Sequence, residues 1–281
     1  MRVLVTGAGG MLALAVLRVL EERGHEVVAL DRAGLDVTDQ DAVRERILGE
    51  RPDVVVQCAA YTAVDRAEEE EELAMRVNAL ATRYVACACD EVGALLVYPS
   101  TDYVFNGNAR MPYLPDEPPH PVNAYGRSKV AGEAAAREAR RALVIRTSWL
   151  YGEGGPNFVE TITRLARERE TVEVVDDQVG RPTWTGSLAR TISELMERGV
   201  AGMFHASDAG APVTWFGFAR EIVARQELAA RIVPVPSSRF PRPAPRPGWS
   251  VLDCSETERT LGRPLPSWSD TLQRYLGSRA R

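Results

Sequence analysis

The sequence predicts an α/β fold: a Rossmann-type, doubly wound parallel sheet with a smaller C-terminal α/β part. Three observations carry that prediction. Short β-branched runs alternate with longer helical stretches through the first half, a glycine-rich turn follows the first run, and an acid closes the second. Repeated β-α-β units demand a parallel sheet with helices on both faces, because the crossover is right-handed. The chain's 281 residues, 45% apolar and 26% charged, suit one large α/β unit with an appendage.

Arg2 to Thr6 (RVLVT) is a buried strand, followed by Gly7-Ala8-Gly9-Gly10-Met11-Leu12-Ala13 and a helix through Leu20 that Gly24 ends. Glu26 to Leu30 is the second strand and closes on Asp31. Gly7, Gly10 and Ala13 give the G-x-x-G-x-x-[GA] spacing of a dinucleotide turn. Backbone amides must approach a pyrophosphate with no Cβ in the way, at a helix N-terminus that favours negative charge. Asp31 is placed to hold ribose hydroxyls, whereas Arg32 beside it suits a 2′-phosphate, so the residues leave NADH and NADPH both open. A tight turn in some other α/β protein is the competing reading.

Thr38 or Asp39 caps a helix through Leu48, and Val54 to Gln57 is a strand leading into the small-residue turn Cys58-Ala59-Ala60. Five acids, Glu68 to Glu72, open a helix expected to run past Asn78 to about Glu91. Leu95 to Tyr98 is a strand ending in Pro99-Ser100-Thr101-Asp102, Asn123 to about Arg140 a helix, and Leu143 to Arg146 a further strand. Residues 1–150 are therefore expected to form the dinucleotide unit. Residues 151–281 are expected to form mainly a second unit, with some segments returning to the first. There, helices begin near Asn157-Phe158, Trp184 and Thr214, and strands cover Val172 to Val175 and Met203 to Ala206. Pro234 to Pro247 holds six prolines and three arginines in fourteen residues and reads as an extended loop.

Chemistry concentrates at one pair. Of 34 basic residues a single one is lysine, Lys129, and it falls four residues after Tyr125. On a helix the two share a face. A tyrosine ionises near pH 10, and a neighbouring ammonium is expected to draw it toward neutral pH, where acid–base catalysis is efficient. Thr101, at a parallel strand's C-terminal end, is placed to hydrogen-bond a substrate oxygen. Arg181 and Arg246 are guanidinium candidates for a diphosphate. Trp149, Phe158 and Trp184 are either core or aromatic platforms.

Other classes are excluded or disfavoured. Net charge is −5, with 39 acids against 34 bases, which argues against a nucleic-acid surface. No apolar run approaches the roughly 18 residues of a membrane span, and the glycine-rich start does not continue as a signal peptide. Cys58, Cys87, Cys89 and Cys254 are too scattered for a disulfide framework or zinc site and read as buried thiols of a reducing, cytoplasmic setting. His25, His120 and His205 show no metal-ligand spacing, and no metal is expected.

Ala59-Ala60-Tyr61-Thr62-Ala63-Val64-Asp65, Ser100-Thr101-Asp102-Tyr103-Val104-Phe105, Tyr125-Gly126-Arg127-Ser128-Lys129, Arg146-Thr147-Ser148-Trp149 and Asp177-Gln178-Val179-Gly180-Arg181-Pro182-Thr183 stand in order along the chain. In these segments the sequence resembles the dTDP-4-dehydrorhamnose reductase family of the extended short-chain dehydrogenase/reductase superfamily. The likeness spans about two-thirds of the chain, with a weaker echo at Arg246-Pro247. It implies NAD(P)H-dependent reduction of a dTDP-linked 4-keto sugar, dTDP-4-dehydro-β-L-rhamnose, toward a cell-surface polysaccharide precursor. It implies a catalytic set of Thr101, Tyr125 and Lys129. The cofactor would be lined by Gly7, Gly10, Met11, Leu12, Asp31, Arg32, Asp36, Val37, Ala59, Ala60, Thr62, Tyr125 and Lys129. Thr101, Asp102, Tyr125, Trp149, Asn157, Phe158, Gln178, Arg181 and Arg246 would meet the substrate. Some relatives hold magnesium between subunits through glutamates, but Ala15 and Gly186 stand at the comparable places here, so a metal-linked dimer is not expected. Monomer and homodimer both remain open. The resemblance also reaches redox-neutral nucleotide-sugar epimerases and dehydratases, and a non-catalytic regulatory subunit of methionine adenosyltransferase. Tyr103 after Asp102, where dehydratases place a second acid, argues against a dehydratase, and retention of both Tyr125 and Lys129 argues against a non-catalytic subunit.

Overall fold

Five apolar runs of the first half become five strands of one six-stranded sheet in the computed structural model, which describes residues 1–279. They are β1 (Arg2–Thr6), β2 (Glu26–Leu30), β3 (Val54–Gln57), β4 (Leu95–Thr101) and β5 (Ala142–Thr147). The sixth strand is Gly202–His205, and the spatial order is Gly202–His205, β5, β4, β3, β1, β2. Every neighbouring pair is parallel. The order reverses between β1 and β3, the switch point at which open α/β sheets bind ligands beyond their strand ends.

Strand alternation divides the core into two layers. Val3, Val5, Val56, Val97 and Ile145 face one side and pack with Val16, Leu20, Leu188 and Ile192. Leu4, Val55, Leu96, Tyr98 and Val144 face the other side with Val43, Ile47, Val85 and Ala136. Asp39 caps the Gln40–Glu50 helix by accepting the Ala42 N–H at 3.1 Å. Gly93 ends the Ala81–Val92 helix in the left-handed conformation.

The long helix expected from Glu68 to Glu91 is instead broken into pieces. A 3-10 turn covers Arg66–Glu68, an α-helix Glu71–Met75, a π-helical turn Arg76–Leu80 and an α-helix Ala81–Val92. The interruption centres on buried Asn78. Its carbonyl accepts from the Tyr98 and Thr82 hydroxyls at 3.1 and 2.8 Å. Its side chain bonds the Tyr61 backbone and Ser128. Such π-turns recur at functional sites.

The second half does not stand apart from the sheet. Its Thr185–Glu197 helix and Gly202–His205 strand pack on the first core layer, together with Leu252, Leu261 and Leu265. A separate apolar cluster forms around Tyr151, Ile162, Phe218, Leu272 and Tyr275. The proline-rich segment read as a loop begins inside a strand, Arg231–Val235, paired in parallel with Thr171–Val175. Proline is tolerated because this is a two-stranded sheet with free edges. The helices Ser255–Leu261 and Trp268–Arg279 were not foreseen. All four cysteines are free, and Cys87 is exposed rather than buried as expected, since it falls on the outer face of its helix. No described helix is long and apolar enough to cross a membrane.

Gly132 marks the tightest contact between helix and sheet. A Cβ there would lie 2.1 Å from the Tyr98 hydroxyl and 2.2 Å from the Asn78 carbonyl oxygen. Gly132→Ala is expected to destabilise the fold by about 1–3 kcal/mol through overpacking. Gly49→Ala, in a helix with nothing within 4 Å of the added carbon, is expected to be neutral or stabilising by up to about 1 kcal/mol. Urea unfolding of the two variants beside the wild type measures the contrast.

Candidate active site

At the β1 end of the switch point the chain turns at Gly7, whose φ is +66°. A Cβ there would meet the Ala59 backbone nitrogen at 2.6 Å, so only glycine lets this turn lie against Cys58-Ala59 after β3. Gly10 is the N-cap of the Met11–Glu22 helix, in extended conformation. That helix has neither a side-chain cap nor an acid in its first turn. Its leading N–H groups therefore keep the character of an anion site, and Met11 and Leu12 form the first turn. These residues fit a dinucleotide pyrophosphate.

Asp31 and Arg32 are exposed at the end of β2, and Asp31 Oδ1 accepts the Gly34 N–H at 2.8 Å. Asp36 accepts from both the backbone and hydroxyl of Thr38 at 2.9 and 2.7 Å. Those bonds hold it below the usual carboxylate range, with Arg32 and Arg76 adding to the effect. Val37 is buried, and its side chain belongs to the core beside Leu30 and Leu35. Ala59 and Ala60 are half-buried and Thr62 exposed.

The second group forms where β4 ends. Asn123 caps the Ala124–Ala136 helix by accepting the Gly126 N–H at 2.7 Å. Gly126 lets this first turn press on the Tyr103 carbonyl, which an added Cβ would reach at 2.3 Å. That contact holds Tyr125 beside Thr101, Asp102 and Tyr103; the Tyr103 and Tyr125 rings meet edge to face with centroids 5.7 Å apart. The Thr101 hydroxyl donates to Asp102 Oδ1 at 3.0 Å and accepts the Tyr103 N–H at 3.2 Å. One turn on, Lys129 is 3% exposed. Its Nζ donates to the Pro99 carbonyl at 2.8 Å and stands 4.0 Å from the centre of the Tyr98 ring.

Electrostatics here correct the sequence expectation. Lys129 does not draw Tyr125 down. Burial pushes the phenol above its ordinary value, and the opposing influence comes from the neighbouring Thr101 hydroxyl. Burial likewise pushes the Lys129 ammonium down to about 7, against the pull of Glu133 and Cys58. The reason is shared: the closely docked helix takes Lys129 out of water and half-buries Tyr125, and the ammonium is committed to Pro99 and Tyr98. Asp102, 2% exposed, is pushed up to about 7 by burial, against the nearby Ser250 hydroxyl and its hydrogen bond with Thr101. Its Oδ2, Thr147 Oγ1 at the end of β5 and Gln57 Oε1 at the end of β3 are buried polar atoms with no hydrogen-bond partner among the described residues. All three belong to residues at the carboxyl end of β3, β4 or β5, the edge at which open α/β sheets bind ligands.

An aromatic platform adjoins this edge. Thr101 pairs in register with Thr147, and Trp149 follows two residues later. Trp149 adopts φ +49°, a conformation costing a bulky residue roughly 1–2 kcal/mol. Its indole is stacked on Trp215 at 3.5 Å and lies against Gly180, whose added Cβ would meet it at 2.5 Å. Phe158 packs 4.5 Å from Trp215. Strain of this kind marks functional positions. Trp215 was missed, because nothing in the sequence links it to Trp149.

The remaining candidates are dispersed. Asn157 is a helix cap, accepting from Glu160 and donating to the Gly152 carbonyl at 2.8 Å. Gln178 is half-buried. Arg181 donates to the Leu252 carbonyl at 3.1 Å, and its Nε is buried without a partner among the described residues. Arg246 pairs with both oxygens of Asp65 at 2.5 and 2.9 Å, which ties the proline-rich segment over the Asp65 turn and beside Tyr103. Asn123 Nδ2 donates to the Pro245 carbonyl from the Tyr125 helix. Ala15, Gly186 and Trp184 line one surface groove. A hollow of about 1000 Å³ lies elsewhere, between Glu70, Arg76, Leu80, Arg83 and Ala135, and none of Thr101, Tyr125 or Lys129 lines it.

A protein-family model for the RmlD substrate binding domain matches residues 1–280. A dTDP-4-dehydrorhamnose reductase of Streptomyces griseus is 46% identical over 279 residues, covering 96% of this chain and 91% of that protein. The crystal structure of a dTDP-4-dehydrorhamnose reductase from Clostridium acetobutylicum superposes with a TM-score of 0.97 at 37% identity, covering all of both chains. That from Bacillus anthracis, in complex with NADP, gives 0.95 at 39% identity, covering 99% of each.

His205 lies behind this site and is fully buried. Its Nδ1–H donates to the Tyr113 carbonyl at 3.1 Å and its Nε2 faces Arg146 at 3.4 Å. Burial and then Arg146 push it down to about 3. The folded chain thus refuses a proton that the unfolded chain accepts below pH 6.5, and stability falls as pH drops from about 6.5 toward 3. Between pH 7 and 5 the loss is about 2 kcal/mol. In His205→Gln that part of the acid slope in urea unfolding is expected to vanish.

Proposed function

The chain belongs to the RmlD substrate binding domain family, and from that membership we propose that it reduces the C4 ketone of dTDP-4-dehydro-β-L-rhamnose to give dTDP-β-L-rhamnose, with NADPH or NADH as reductant. The nicotinamide, when bound, supplies the hydride to C4. The observation that carries the reading is the meeting of buried Thr101 and Lys129 with half-buried Tyr125 at the sheet's carboxyl edge, in a chain whose relatives of near-complete coverage bear this activity in their names.

Tyr125 gives its phenolic proton to the C4 oxygen. A phenol raised by burial holds that proton at neutral pH, which suits a donor. Thr101 offers its hydroxyl to the same oxygen from the end of β4. Lys129 offers the N–H groups not given to the Pro99 carbonyl to the ribose hydroxyls of the cofactor. Gly7, Gly10, Met11 and Leu12 receive the pyrophosphate at the Met11–Glu22 helix, with Ala59, Ala60 and Thr62 along the nicotinamide side. Asp31 takes ribose hydroxyls and Arg32 a 2′-phosphate, while Asp36 and the Val37 backbone adjoin the adenine. Asp102 and Trp149 contact the deoxysugar, with Asn157 and Phe158 supporting the platform. Gln178, Arg181 and Arg246 meet the nucleotide diphosphate, Arg246 by exchanging Asp65 for phosphate oxygens. We assign the reaction to the reducing cytoplasm, in keeping with four unpaired cysteines. Every residue invoked comes from one chain, so a monomer and a homodimer both accommodate it.

Mixing the protein with NADPH or NADH and the keto-sugar nucleotide is expected to consume the nicotinamide absorbance; no substrate-dependent oxidation with either cofactor refutes the reading. Tyr125→Phe is expected to keep cofactor binding and lose about 10²–10⁴-fold in turnover. Lys129→Arg forces a planar fork into the space between Tyr98 and Pro99. It is expected to weaken cofactor binding and turnover together, read by fluorescence titration and steady-state rates.

A further inference from the structure

Tyr125, Lys129 and Glu133 follow one another at four-residue spacing, so they form one stripe along the Ala124–Ala136 helix. Glu133 is 4% exposed, yet no step proposed above uses it. The Ser100 hydroxyl donates to its Oε1 at 2.6 Å. Arg146 grips both of its oxygens from β5, through Nε at 2.9 Å and Nη2 at 2.8 Å. Arg146 is itself buried, with further bonds to the Pro115 carbonyl and His205 and its guanidinium 4.9 Å from the Phe105 ring centre. Ser100 lies between Pro99, whose carbonyl holds Lys129, and Thr101, whose hydroxyl bonds Asp102 and the Tyr103 N–H beside Tyr125. The buried carboxylate therefore grips the one strand residue whose two neighbours hold the site.

The direct partners of Lys129 are a neutral carbonyl and an aromatic face. An ammonium so desolvated sheds its proton unless a nearby negative charge opposes the loss. The titratable groups facing it are Cys58 from the β3 turn, Tyr98 from β4, and Tyr125 and Glu133 from its own helix. Three of these are neutral acids at working pH, as burial drives Cys58 up to about 12 and holds Tyr98 and Tyr125 above their ordinary values. Glu133 alone brings a full negative charge.

We propose that Glu133, locked in place by Arg146 and Ser100, is a positioning residue that keeps the Lys129 side chain protonated and fixes the Pro99–Thr101 strand end against Tyr125. Its role in turnover rests on the reductase reading, whereas its effect on Lys129 does not.

Because the chain contains a single lysine, biosynthetic 13Cε-lysine labelling gives one lysine signal, and its titration reports Lys129 without cofactor or substrate. Glu133→Gln keeps the shape and the bond from Ser100 but removes the charge. It is expected to lower the Lys129 midpoint by about one pH unit or more. The alkaline limb of the kcat/KM profile moves to lower pH with it, because the ammonium is lost earlier. Arg146→Met is expected to act in the same direction, since an unpaired buried carboxylate takes up a proton; it serves as the second reading if the glutamine variant does not fold. A purely structural Glu133 lowers the unfolding midpoint and leaves the lysine titration where it was. That result, in either folded variant, overturns the proposal. Failure of wild-type turnover with the keto sugar, alongside a moved titration, instead removes the reductase reading and leaves the Glu133–Lys129 coupling standing.

Discussion

The site depends on one docking event, the seating of the Ala124–Ala136 helix on the end of β4. Gly126 and Gly132 leave no room for a Cβ on that face, so the helix comes within contact distance of Tyr103, Tyr98 and Asn78. Closeness on this scale excludes water from Lys129 and raises the free-energy cost of its charge. The surrounding polar arrangement answers that cost: the Pro99 carbonyl, the Tyr98 ring, and the Glu133 carboxylate gripped by Arg146. Packing and electrostatics are here the same constraint seen from two sides.

The parallel sheet gives that constraint a location. Strands of equal direction bring β1, β3, β4 and β5 to a common carboxyl edge, and the reversal between β1 and β3 opens a crevice there. One side of the crevice is built from backbone, through Gly7 and the uncapped Met11–Glu22 helix. The other is built from side chains, through Thr101, Asp102 and Tyr125. The division matches the chemistry proposed, since a pyrophosphate is bound by N–H groups and a ketone oxygen by hydroxyls. Trp149, strained and stacked on Trp215, extends the side-chain wall beyond β5.

Most of the sheet was legible in the sequence because parallel strands, buried on both faces, write themselves as uninterrupted apolar runs. The Tyr125–Lys129 pair was legible because helical spacing fixes its geometry locally. What escaped depended on distant contacts. The π-turn at Asn78 arises from partners at Tyr61, Tyr98 and Ser128, none of them near in sequence. The strand Arg231–Val235 was concealed by its proline, which only a two-stranded edge accommodates. The direction in which Tyr125 shifts was misjudged because spacing reveals a neighbouring ammonium but not how far packing shields each group from water. Arg246, chosen for its guanidinium, is held by an aspartate from the Asp65 turn that no local pattern announces.

The central claim is that this edge delivers hydride to the C4 carbon of a sugar while Tyr125 delivers the proton. The most direct measurement follows a deuterium label from nicotinamide-4-deuterated NADPH into the product by proton and deuterium NMR of the sugar ring. The account predicts one deuterium at C4 for each cofactor oxidised, and none at C3 or C5. Label that stays on the cofactor while protons at C3 or C5 exchange with solvent would contradict it and assign the site to redox-neutral epimerisation.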